Sequence, residues 1–150
     1  MKYLRRDIAG AVDHALGQMP VVVITGIRQS GKSTLVLEDG SFKEREYFTL
    51  DDFGVLRTMK ENPDALLEGY EALTIDEAQR VPDLFLAIKR SVDKRRTPGR
   101  FLLTGSANPS LLRGVSEGLA GRAVYFNLEP MNKREVHGGE KGKVLQNSSE

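Results

Sequence analysis

The segment Gly26-Ile27-Arg28-Gln29-Ser30-Gly31-Lys32-Ser33-Thr34 places a glycine, four intervening residues and then Gly-Lys-Ser in register. That spacing cradles the phosphates of a nucleoside triphosphate. Gly26 and Gly31 let the chain turn tightly, so that backbone N–H groups along Ile27, Arg28, Gln29, Ser30 and Thr34 can face phosphate oxygens. A helix opening near Gly31 aims the positive end of its dipole at the same anion. Lys32 supplies an ammonium to the terminal phosphates, and the Ser33 hydroxyl is a ligand for Mg²⁺. The apolar run Pro20-Val21-Val22-Val23-Ile24-Thr25 before the loop, and Leu35-Val36-Leu37 after it, provide the strand and helix that such a motif requires.

A second signal is Leu73-Thr74-Ile75-Asp76-Glu77, a strand pattern that ends in two acids. In a parallel sheet those acids emerge at the carboxyl edge, beside the phosphate loop. Asp76 is suited to hold Mg²⁺, commonly through its water, because hard cations take oxygen ligands. Glu77 is suited to polarise the water that attacks the γ-phosphate. Thr104-Gly105-Ser106 closes a further strand at the same edge. The hydroxyls of Thr104 and Ser106 can hold that water or report the γ-phosphate, with a Thr/Ser helix cap as the competing reading. Arg122 stands just before the last strand, where it is placed either as a finger on a neighbouring subunit's nucleotide or as a surface arginine.

Positioning these residues takes an alternation of short apolar strands and helices, which is the pattern of a parallel sheet covered on both faces. Leu4, Ile8, Val12 and Leu16 recur at helical spacing ahead of the first strand, 21–25. Further strands are expected over 47–50, 71–75, 100–104 and 123–128, with helices at 63–67 and 82–92. The fold class is α/β: a P-loop NTPase three-layer α/β/α sandwich on a parallel five-stranded sheet. Residues 1–135 form the core, and 136–150 read as a polar, disordered tail. One strand (47–50) falls between the two motifs, which together with the Asp-Glu pair favours a hydrolytic ATPase over a kinase or GTPase.

The chain has 150 residues, 39% hydrophobic and 29% charged, enough for one domain with a sizeable core. Its net charge of +1 gives no general attraction to nucleic acid. The cluster Lys89, Arg90, Lys94, Arg95, Arg96 and Arg100 offers a local basic patch or, more often, solvates a helix end. Cysteine is absent, which excludes disulfides and thiolate metal sites, and His14 and His137 have no matching ligand set for zinc. Asn132-Lys133-Arg134-Glu135 lacks the aspartate of a guanine-selecting motif. The N-terminus has no apolar signal core and no run is long enough to span a bilayer, so a cytoplasmic protein without membrane partners is expected.

In order, residues 26–34, Tyr47-Phe48-Thr49-Leu50-Asp51-Asp52, Ile75-Asp76-Glu77-Ala78-Gln79-Arg80, Phe101-Leu102-Leu103-Thr104-Gly105-Ser106-Ala107 and Leu119-Ala120-Gly121-Arg122 resemble the prokaryotic AAA-type ATPases. The resemblance covers about 1–135 and implies an AAA core with strand order 5-1-4-3-2, and ATP with Mg²⁺ as its ligands. It also implies a phosphate loop of the Walker A kind and an acidic strand end of the Walker B kind; a homo-oligomer, in which Arg122 would complete a neighbour's site, or an unknown protein partner is left open. Such proteins usually continue into a further C-terminal region, so a truncated module that holds ATP or ADP without turnover is the alternative expectation. A nucleic-acid motor is the third, weakened by the near-neutral charge.

Overall fold

The computed structural model describes residues 2–26, 35–37, 42–106, 108–128 and 144–145. The chain opens with α1 (Lys2–Leu16), whose Ile8, Ala9, Val12 and Leu16 are buried at the spacing expected of one helix face. Strand β1 (Val21–Gly26) follows and is buried along its whole length. Residues 35–37 are helical. Then come β2 (Glu46–Thr49), α2 (Phe53–Glu61), α3 (Pro63–Glu68) and β3 (Leu73–Asp76). A short 3₁₀ turn, Ala78–Arg80, leads to α4 (Leu84–Lys94) and β4 (Phe101–Ser106). The chain continues through α5 (Pro109–Gly118), β5 (Ala123–Asn127) and β6 (Val144–Leu145).

The strands lie in the order β2-β3-β4-β1-β5-β6. The first five are parallel, as the sequence predicts, in the order expected for an AAA core. Within the segment expected to be a disordered tail, β6 pairs antiparallel with β5, Tyr125 opposite Leu145 and Phe126 opposite Val144. This pairing occupies the outer side of β5, which would otherwise present unpaired backbone groups. The rest of the tail, including His137, lies outside the described residues, as do residues 132–135.

Both faces of the sheet are covered because the strand residues are apolar in both phases of their alternation. Val21, Val23, Leu73, Ile75, Phe101 and Leu103 pack toward α2, α3, α4 and α5. Val22, Ile24 and Leu102 pack with α1 and with Leu35 and Val36 on the other face. Thr74 and Asp76 alternate with Leu73 and Ile75, and Thr104 alternates with Leu103, so these polar groups belong to the α1 side. They can occupy a buried sheet only where hydrogen bonds satisfy them.

Two helices absent from the sequence expectations, α2 and α5, begin just past the carboxyl ends of β2 and β4. Asp52 Oδ1 accepts from the N–H groups of Gly54 (2.9 Å) and Val55 (3.1 Å) and so caps α2. Asn108 Oδ1 accepts from Leu111 N at 2.8 Å and caps α5, with Pro109 in its first turn. The cap of α5 is therefore Asn108, not Thr104 or Ser106.

At the amino edge two arginines are used structurally. Arg45 donates to Leu73 O (2.7 Å), Gly99 O (2.8 Å), Arg100 O (3.3 Å) and Thr74 Oγ1 (3.1 Å), tying β2 to the starts of β3 and β4. Burial lowers its pKa to about 10, still protonated at neutral pH. Arg100 departs from the basic-patch reading: it is 2% exposed. Its guanidinium donates to Ser91 O at 2.9 Å and lies 4.8 Å from the Phe101 ring centroid. Lys89, Arg90 and Lys94 pair with Asp93 (3.5 Å), Asp64 (2.9 Å) and Glu68 (4.0 Å), and Arg96 donates to Gly121 O at 3.1 Å.

Candidate active site

Parallel register brings the chemistry to one edge. Gly26, the last residue of β1 and the first of the phosphate loop, is paired with Ser106 at the end of β4. On the far side of β4, β3 is in register with Ile75 opposite Leu103, and Asp76 pairs with Thr49 of β2. Asp76, Thr104, Ser106 and Gly26 thus share the carboxyl edge, where ligands of open α/β sheets bind. The remaining loop residues named above, Ile27, Arg28, Gln29, Ser30, Gly31, Lys32, Ser33 and Thr34, lie outside the described residues.

Asp76 is 4% exposed. Its Oδ1 accepts the Thr104 hydroxyl in a short hydrogen bond, and its Oδ2 accepts the Tyr47 hydroxyl at 2.7 Å. A buried carboxylate oriented by two hydroxyls has a fixed direction. Thr104 is fully buried, and while donating to Asp76 it accepts the backbone N–H of Glu77 at 3.3 Å. Its one proton and one lone pair are thereby used on the two acids. Burial first, then its hydrogen bond to Asp76 and the nearby negative charge, hold the Tyr47 phenol well above its ordinary pKa. Tyr47 is therefore a donor across the whole neutral range.

Glu77 has φ 61° and ψ 45°, and among the described residues it is the one non-glycine with positive φ. That conformation costs about 1–3 kcal/mol for an L side chain and tends to persist where function holds it. Here it turns the chain sharply from β3 into the 3₁₀ turn and aims the Glu77 N–H at Thr104. The Glu77 carboxylate is half-buried, and its Oε1 accepts from Gln79 Nε2 at 2.7 Å. Gln79 Oε1 in turn accepts from Ser106 N at 3.2 Å.

Arg122 is not brought to this edge. It precedes β5, at the amino end of the sheet, and donates to both oxygens of Asp93 (2.9 and 3.2 Å) and to Ala120 O at 2.9 Å. The Arg122 hydrogen bonds hold the Asp93 carboxyl below its ordinary range. Two participants escaped the sequence reading: Tyr47 and Gln79 appeared there only inside longer motifs. Tyr47 acts through a partner on the neighbouring strand, and Gln79 meets Glu77 and Ser106 only because the left-handed turn at Glu77 folds the chain back.

The donor set suits a hard cation. Asp76, Thr104 and Tyr47 offer only oxygen, and among the described residues no cluster of three or more His, Cys, Asp or Glu could hold a metal by itself. A buried carboxylate at the sheet edge where β1 ends is a ligand of the kind Mg²⁺ takes, since that ion keeps waters and binds few protein oxygens.

A family model described as AAA domain matches residues 18–137. The chain belongs to this AAA-domain family, and it is a nucleotide-binding, ATPase-like P-loop domain. Uncharacterized proteins of Mycobacterium tuberculosis and Mycobacterium bovis are each 42% identical to it over 133 residues, 88% of this chain. The chain spans 30% of the length of those curated relatives. Among solved structures, a Walker-type ATPase of Pyrococcus abyssi is similar with a TM-score of 0.56 and 17% identity, covering 89% of this chain and 58% of that one. Domain III of the replication initiation protein DnaA from Thermotoga maritima gives a TM-score of 0.53 and 21% identity, covering 89% of this chain and 69% of that one. At such identities the likeness concerns the fold. No helix among the described residues is long and apolar enough to cross a membrane.

Proposed function

We propose that the chain binds Mg-ATP and hydrolyses it to ADP and phosphate. The observation that carries this reading is the linked pair of acids at the carboxyl edge. Asp76 is oriented by Thr104 and Tyr47, and Glu77 is turned out of the strand next to it, with β4 alone between them and the end of β1. In this reading the loop from Gly26 to Thr34 holds the phosphates, with Lys32 against the terminal ones. Ser33 and Asp76 would hold Mg²⁺, which when bound neutralises charge on the phosphate oxygens. Glu77 accepts the proton of the attacking water. Thr104 keeps Asp76 and the Glu77 backbone in place, and Ser106 marks the strand end nearest the loop.

Arg122 has no part in the chain's own site in this account. Its service to a second copy would require release from Asp93. The cytoplasm is the compartment we propose.

Phosphate release from Mg-ATP tests the assignment. Glu77→Gln keeps the size and the turn but removes the base, so turnover should fall about 10²–10⁴-fold with nucleotide binding intact. Undiminished release in Glu77→Gln would refute the assigned base. Binding without release in the wild type would instead establish a module that holds ATP or ADP without turnover.

A further inference from the structure

The pairing of β3 with β4 ends at Ile75 opposite Leu103, while β3 runs on to Asp76 and β4 to Ser106. Beyond that point the two ends are joined by side chains, and Gln79 makes the outermost link. Its carboxamide uses both ends: Nε2 donates to Glu77 Oε1 at 2.7 Å and Oε1 accepts from Ser106 N at 3.2 Å. The fit is tight. A Cβ at position 105 would stand 2.6 Å from Gln79 Oε1, so the glycine there leaves room for the bridge. The left-handed turn at Glu77 and the 3₁₀ turn after it bring the two side chains, two residues apart, onto each other. Gln79 therefore fixes the direction of the Glu77 carboxylate relative to the end of β4, the strand paired with the root of the phosphate loop.

We infer that Gln79 is a positioning residue for hydrolysis, a bridge that orients the Glu77 carboxylate and couples it to the β4 end at Ser106. This rests on the ATPase reading above. Gln79 does not itself touch the reacting atoms. It holds the base along one direction, and it transmits any displacement of the Ser106 backbone to that base. A carboxylate freed from such a tether samples orientations in which it cannot take the water's proton.

The test is steady-state phosphate release, resolved into kcat and KM, with Mg-ATP thermal stabilisation measured in parallel, for the wild type and for Gln79→Ala, Gln79→Glu and Gly105→Ala. Gln79→Ala should lower kcat about a hundredfold, with KM and the Mg-ATP thermal shift unchanged. Gln79→Glu cannot donate to Glu77 and sets a second carboxylate beside it, so it should lower kcat at least as far as Gln79→Ala, again with KM and the Mg-ATP thermal shift unchanged. Gly105→Ala should reproduce the Gln79→Ala loss by displacing the carboxamide, and should add little when combined with Gln79→Ala. Wild-type turnover with an unchanged kcat in both Gln79→Ala and Gln79→Glu overturns the bridge and leaves the ATPase reading standing. Mg-ATP stabilisation without wild-type turnover overturns the ATPase reading, and the role of Gln79 falls with it.

Discussion

Asp76 sits where a carboxylate is expensive to bury, and the residues around it are those that make the burial tolerable. Two hydroxyls, from Thr104 and Tyr47, each donate to one of its oxygens and fix its direction. Replacing Tyr47 by Phe keeps the ring and removes one of them. The expected cost is about 1–2 kcal/mol at neutral pH, read from chemical denaturation. The difference has a pH signature. The phenol's pKa is raised in the fold, so the unfolded chain ionises first and stability is lost as pH rises above the ordinary tyrosine value of about 10. The advantage of wild type over Tyr47→Phe should therefore be fully present below pH ~10 and shrink above it. A difference that stays constant through the alkaline range would show that the hydroxyl is not bound to Asp76. Asp76 and Glu77 themselves were legible in the sequence, because a strand that ends in two acids is a local pattern. Tyr47 and Gln79 were not. Tyr47 meets Asp76, 29 residues away, through the register of β2 on β3, and Gln79 reaches both Glu77 and the distant Ser106 N only through the turn at Glu77.

Among the elements, the strands announced themselves because a sheet covered on both faces demands continuous apolar residues, as in Val21-Val22-Val23-Ile24. Helix α4 did so through its Pro82-Asp83 start and its buried Leu84, Ile88 and Val92. Helix α5 was obscured by its composition. It carries Gly114 and Gly118, poor helix formers, since a Cβ at 114 would stand 2.6 Å from the Phe85 ring of α4. Its buried Leu111 and Val115 keep the helical spacing, but the glycines between and after them read as a loop. What starts the helix is Asn108-Pro109, placed directly after the β4 end. Asn108→Ala should destabilise the protein by about 1 kcal/mol, and Asn108→Ser should retain most of the cap. Equal stability of Asn108→Ala and wild type in urea would mean that the cap bond to Leu111 N contributes nothing. The short strand β6 was illegible for another reason. Its two residues sit in a polar stretch, and only the open side of β5 gives them a partner.

For the whole molecule, one parallel sheet collects residues from four strands at a single edge, and the family match over 18–137 places that arrangement among AAA domains. The amino edge has the opposite character, with Arg45 and Arg100 spent on backbone carbonyls and Arg122 on Asp93. The account's central claim is that the carboxyl edge is a Mg-ATP site served by the loop that carries Lys32. Thermal unfolding of the wild type and Lys32→Ala, with and without Mg-ATP, tests it most directly. At one hundred times the dissociation constant a bound nucleotide stabilises the fold by about 2.7 kcal/mol, an increase of about 5–10 °C in Tm for a chain of this size. The account predicts that increase in the wild type and its loss in Lys32→Ala, with the two nucleotide-free proteins melting alike. An unchanged Tm of the wild type in Mg-ATP, or an equal increase in Lys32→Ala, would contradict it.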